Sequence, residues 1–134
     1  MRVLLDTHIL IWALYDLEKL DPGTRAVLEE PSTAVLFSAA SIWEIVIKAR
    51  LGRVDFPRRP EAVVEQALET GFTELPIRAS AAALVADLPL HHRDPFDRLL
   101  VAQAMSEPAR LLTSDAQLRP YSELVMMVGG AVGG

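Results

Sequence analysis

Val3-Leu4-Leu5-Asp6-Thr7-His8-Ile9-Leu10-Ile11-Trp12 decides the reading of this chain, because an acid, Asp6, interrupts a run that is mostly apolar. Val3 to Leu5 show no polar alternation, as in a strand covered on both faces of a parallel sheet. Ile9, Leu10, Trp12 and Ala13 then recur at helical spacing, so the chain turns into a helix directly after Asp6 and Thr7. Asp6 is thereby placed at the carboxyl end of a central strand, on the edge where open α/β sheets bind their ligands. The plainer alternative is that Asp6 caps the helix from Ile9 onward.

Outward from this stretch, strands and helices alternate. Further strands are expected at Ala34–Phe37, weakly at Phe72–Leu75, at Arg110–Thr113 and at Leu124–Val128. Between them the spacing predicts a helix running to about Glu30 with Asp21 as N-cap and Pro22 at N1, and one through Ile42, Ile45, Val46 and Ala49 that stops at Gly52. Others follow at Glu61–Thr70, Ala79–Leu88 and Pro95–Glu107, the last with an inward face of Leu99, Leu100, Ala102, Ala104 and Met105. Alternation of this kind predicts an α/β fold, a three-layer α/β/α sandwich around a mostly parallel sheet. We expect one domain over residues 1–128, and a Gly-rich tail, 129–134, with too little side chain to order itself.

At 134 residues the chain needs only one core, and its 51% hydrophobic and 23% charged content is that of an ordinary folded protein. Without cysteine there are no disulfides and no thiolate ligands, which fits a reducing cytoplasm. The N-terminal apolar run is too short for a bilayer and lacks a signal-peptide cleavage pattern, so no membrane partner is expected. A net charge of −5 argues against a general polyanion binder, but two bound dications would cancel four of those charges. In addition, Lys48, Arg50, Arg53, Arg58 and Arg59 crowd a stretch that holds one acid, Asp55. That stretch also reads as a solvated helix end and loop, since helix C-termini attract cations.

Each remaining acid of interest has a local explanation. Glu44 fits a capping box with Ser41, three residues earlier, and an i,i+4 pair with Lys48. Asp94 and Asp97 frame a helix start around Pro95, and Asp115 suits a turn after a strand. Together they say more. Asp6 and Asp115 end strands while Glu44 and Asp97 open helices, and in a parallel sheet these places line one edge. Four anions gathered there would raise one another's pKa values unless a cation joined them. Oxygen ligands without cysteine point to Mg²⁺ or Mn²⁺ rather than zinc, and hence to phosphodiester hydrolysis.

Four blocks carry a resemblance: Leu5-Asp6-Thr7-His8-Ile9-Leu10, Ser41-Ile42-Trp43-Glu44-Ile45, His92-Arg93-Asp94-Pro95-Phe96-Asp97-Arg98-Leu99-Leu100 and Leu112-Thr113-Ser114-Asp115. In this order they resemble PIN-domain proteins, specifically the VapC-type toxins of toxin–antitoxin pairs. The resemblance implies an Mg²⁺- or Mn²⁺-dependent endoribonuclease, a homodimer held inactive by a cognate antitoxin, with RNA as substrate. It implies Asp6, Glu44, Asp97 and Asp115 as the acidic quartet, Asp94 as an additional acid, and Thr7, Thr113 and Ser114 as supporting hydroxyls.

Lys48, Arg50, Arg53, Arg93 and Arg98 are candidates for RNA phosphates, although Arg98 also suits an i,i+4 pair with Asp94. His91 and His92 are read as solvated loop residues, with contact to substrate as the alternative. Trp12, Trp43, Leu10 and Ile47 are read as core, with a groove or dimer surface as the alternative. A phosphoacceptor receiver domain would need a second acid beside Asp6, where Thr7 stands, and a strand lysine, whereas the chain has only Lys19 and Lys48. A housekeeping RNA-processing nuclease and a non-catalytic binding module complete the alternatives.

Overall fold

β1 (Arg2–Leu5) runs through the middle of the protein, with Val3, Leu4 and Leu5 fully buried. The computed structural model describes residues 1–129. Around β1 the five strands take the order β3-β2-β1-β4-β5, where β2 is Ala34–Ser38, β3 Thr73–Leu75, β4 Arg110–Thr113 and β5 Val125–Met127. Every adjacent pair is parallel. The expected sheet is thus present, and it is wholly rather than mostly parallel.

Among the described residues six α-helices cover the faces: α1 (Thr7–Tyr15), α2 (Pro22–Glu29), α3 (Ala39–Arg50), α4 (Pro60–Thr70), α5 (Ala79–Leu84) and α6 (Pro95–Ser106). Successive strand residues point to opposite faces. Val3, Leu5, Val35 and Phe37 therefore join Ile9, Leu10, Leu20, Ile45 and Val63 in one core layer, while Leu4, Leu36 and Leu111 meet Leu100, Val101, Ala104 and Leu118 in the other. Each such buried leucine stabilises the fold by about 2 kcal/mol. This double covering explains why the strands read as unbroken apolar runs.

Register fixes the edge that matters. Leu5 lies opposite Phe37 on one side and Leu112 on the other. The residues just beyond, Asp6, Ser38 and Thr113, therefore leave the sheet side by side, and the amide of Asp6 still reaches the Leu112 carbonyl at 3.0 Å.

Several local expectations are corrected. α3 begins at Ala39 with Ser38 as its N-cap, accepting from the Ala40 amide at 2.9 Å, so Ser41 and Glu44 form no capping box. Both lie within the helix and are buried. α5 ends at Leu84 and passes into a 3₁₀ turn, Val85–Asp87. α6 buries Leu100, Val101, Ala102, Gln103 and Ala104, whereas Leu99 is half-buried and Met105 exposed. Five consecutive buried positions mean that α6 is covered on more than one side, and the buried Gln103 side chain is satisfied by accepting from the Ser38 hydroxyl at 2.5 Å. Trp43 is 60% exposed, edge-on to Phe96, and does not belong to the core. Leu10 is buried as expected, and Trp12 and Ile47 are half-buried. Of the expected tail, Gly129 accepts from the Asp21 amide at 3.3 Å, and residues 130–134 lie outside those described.

Candidate metal centre

Asp6 leaves β1 and caps α1. Its Oδ1 accepts the Ile9 amide at 2.9 Å and its Oδ2 the Thr113 hydroxyl from the end of β4. The capping alternative is therefore correct, but it occupies only part of the carboxylate. Burial pushes its pKa up from 3.8 to about 6, against the pull of the Thr113 and Ile9 hydrogen bonds.

Thr7 lies next to it, and its hydroxyl is 2.5 Å from Glu44 Oε1 and 3.0 Å from Ser41 Oγ. α1 is thus locked to α3 at the sheet edge. The other Glu44 oxygen accepts from Lys48 Nζ at 2.5 Å, the i,i+4 pair expected from spacing, and the same ammonium reaches Asp94 Oδ2 at 3.3 Å. Burial pulls the Lys48 pKa down, but Glu44 and Asp94 more than restore it, so the ammonium stays charged.

Asp94 caps α6 through Oδ1, which accepts the Phe96 and Asp97 amides at 2.8 and 3.3 Å, with Pro95 at N1 where no amide is missed. One turn in stands Asp97. Its pKa rises from 3.8 to about 7, first by burial and then by the negative charges of Asp94, Glu44 and Asp6. Asp115, just past β4, accepts the Gln117 amide through Oδ1 at 2.9 Å and faces His92 Nε2 with Oδ2 at 2.8 Å.

His92 joins these acids and was not legible as a site residue. Its Nδ1 accepts the Asp94 amide at 3.0 Å, so the ring proton belongs on Nε2, which lies 2.8 Å from Asp115 and 3.4 Å from Asp97. Ligand atoms of His92, Asp97 and Asp115 fall within 4.8 Å of one another. Tyr121 sets the loop that carries His92, its hydroxyl accepting from the His91 and His92 amides at 3.0 and 2.8 Å and from Arg98 at 3.1 Å.

Arg98 does not pair with Asp94. Its guanidinium instead donates to the Val85, Leu88 and Pro89 carbonyls, tying α6 to the preceding loop. Ser114 is exposed, whereas Thr113 both donates to Asp6 and accepts from the Asp115 amide at 3.0 Å. Arg93 and Arg50 are exposed, and Arg53 pairs with Asp55 at 3.0 Å. Beside the acids, Val46, Arg50, Arg53, Phe56 and Arg58 line a cavity of about 720 Å³.

The edge therefore gathers carboxylates from four separate segments, two of them with pKa values driven upward. A donor set of carboxylate oxygens fits a hard divalent cation, which would relieve the crowding.

This arrangement defines a class: the chain belongs to the PIN domain family, whose model matches residues 3–124. It is similar to the ribonuclease VapC22 of Mycobacterium tuberculosis, 28% identical over 123 residues that cover 89% of this chain and 91% of the relative. In fold it is similar to VapBC2 from Rickettsia felis, solved bound to a DNA fragment from their promoter (14% identity, TM-score 0.67, covering 95% of this chain and 97% of that one). It also matches PAE2754 from Pyrobaculum aerophilum (20% identity, TM-score 0.55, covering 93% and 82%) and FitAcB from Neisseria gonorrhoeae (21% identity, TM-score 0.50, covering 87% and 89%).

Proposed function

We propose that this chain is a divalent-metal-dependent endoribonuclease, the toxin of a toxin–antitoxin pair. The observation that carries the reading is the convergence of acids from four segments at the carboxyl edge of the sheet, where Asp97 and Asp115 flank His92 at 3.4 and 2.8 Å and the charges of Asp94, Glu44 and Asp6 help raise the Asp97 pKa to about 7. Membership of the PIN domain family and similarity to a ribonuclease support the chemistry. Likeness in fold to VapBC2 supports a protein partner, read here as a cognate antitoxin.

Asp6, Glu44 and Asp97 would hold Mg²⁺ or Mn²⁺, directly or through water, with Asp115 and Asp94 completing the acid set. When bound, the cation supplies a hydroxide nucleophile and neutralises charge on the phosphate. Thr7 and Thr113 orient Glu44 and Asp6 by hydrogen bonds. Lys48, Arg50, Arg53 and Arg93 border the acids or the adjoining cavity and suit RNA phosphates; Arg98, engaged with the preceding loop, is the least free of the five candidates. We read residues 1–128 as one domain that works as a homodimer in the cytoplasm; no helix of the described residues is long and apolar enough to cross a membrane.

Incubating the purified protein with total RNA tests the reading. Cleavage is expected with Mg²⁺ or Mn²⁺, should stop in EDTA, and should return when the metal is restored, with mapped 5′ ends naming the target. RNA left intact with either metal would overturn it.

A further inference from the structure

Lys48 stands apart from the other cations of this chain. Among the described residues no other lysine or arginine hydrogen-bonds to Asp6, Glu44, Asp94, Asp97 or Asp115. A surface lysine four residues after a glutamate holds it weakly and keeps its own mobility. Lys48 differs, because its side chain is only 21% exposed and its ammonium lies 5.5 Å from the Phe56 ring centre and 6.0 Å from that of Phe96. Two aromatic faces and two carboxylates hold the charge in one place.

Its position divides the acids. Both Glu44 oxygens are engaged, one by Thr7 and the other by Lys48, and Asp94 gives one oxygen to its helix start and the other to Lys48. Asp97 and Asp115 remain, with His92 between them and Asp6 beside them. Only this second group lacks a cation.

We propose that Lys48 is a built-in second positive charge of the centre, occupying the place a second dication would take, so that the protein binds one divalent ion on the Asp6–Asp97–Asp115 side. This rests on the metal-centre reading above and narrows it: Glu44, held by Thr7 and Lys48, moves from the metal's ligands to the ion pair, and Asp115 takes its place beside Asp6 and Asp97. Lys48 thereby becomes a positioning residue that sets metal stoichiometry, with Glu44 and Asp94 held in a fixed ion pair.

The test is a Mn²⁺ titration of the metal-free protein, counting bound ions by calorimetry and by the loss of the free-ion resonance signal, with thermal melts alongside. The wild type is expected to bind one equivalent. Lys48→Met keeps the stem between Phe56 and Phe96 but removes the charge, and should bind a second equivalent; Lys48→Arg should stay at one. Metal-free Lys48→Met should melt below wild type, because Glu44 is left buried and unpaired, and its gain on saturation with Mn²⁺ should be about twice that of wild type. Lys48→Gln serves in its place should Lys48→Met not fold. Two equivalents in the wild type, or one in both wild type and the uncharged variant, would overturn the role of Lys48 and leave the metal centre standing. No bound Mn²⁺ in any of them would overturn both.

Discussion

Replacing Asp6 by Asn should make the metal-free protein more stable while abolishing its chemistry. The Asp6 side chain is buried, and its pKa is raised from 3.8 to about 6, mainly by loss of water. A rise of about 2 pH units means that ionising Asp6 costs the folded state about 3 kcal/mol at pH 8. Asparagine avoids that cost and still accepts the Ile9 amide, so the helix cap survives. Its amide group, however, now faces the Thr113 hydroxyl, which loses its acceptor at about 1 kcal/mol. The balance is a gain of about 2 kcal/mol, or roughly 6–10 °C in melting temperature for a chain of this size. Because the folded pKa lies above the unfolded one, the penalty is small at pH 4 and below, grows as pH rises from about 4 to 6 and is complete by about pH 7. Thermal melts in EDTA should therefore favour Asp6→Asn at pH 8 and not at pH 4, while metal-dependent cleavage of RNA is lost. A variant that melts at or below wild type at pH 8 in EDTA would show that burying the ionised Asp6 carries no such cost.

Two further outcomes are expected. Wild-type stability in EDTA should fall as pH rises from about 4 to 7, since Asp6 and Asp97 keep their protons to about 6 and 7 in the folded state and lose them earlier when unfolded; saturating Mn²⁺ should flatten the curve, and a flat urea midpoint without metal would contradict it. Tyr121→Phe strips the shared acceptor from the His91 and His92 amides and Arg98, and should cost about 2 kcal/mol and open the 88–94 loop to limited proteolysis, with wild-type resistance as the contrary result.

The places of Asp6, Asp97 and Asp115 could be inferred before any coordinates, because each adjoins an element whose period is plain in the sequence; Glu44, read as opening its helix, lies inside α3 instead. Even the three-residue strand β3 falls within the weakly patterned stretch Phe72–Leu75 where a strand is expected. What failed was what neighbours decide. Ser38 and Ser41 are equally good caps on composition; β2 pairs with β3 as far as Ser38 opposite Leu75, which makes Ser38 the last strand residue and so the cap. His92 looks like a solvated loop residue until the turn after β4 brings Asp115 against it. Arg98 follows Asp94 at helical spacing, yet three loop carbonyls and Tyr121 compete for it, and none of these is local in a helical sense. Trp43 is apolar by type and outward by phase, a conflict that spacing alone did not resolve.

The bond from Thr113 to Asp6 spans 107 residues, and it forms only once β4 has been laid against β1. Contacts so distant along the chain close late in folding. A polypeptide still emerging from the ribosome, or cut short before β4, therefore has no finished centre. Assembly of the acid cluster is thus tied to strand order, since Asp6 gains its Thr113 partner only after β4 has been made and laid down.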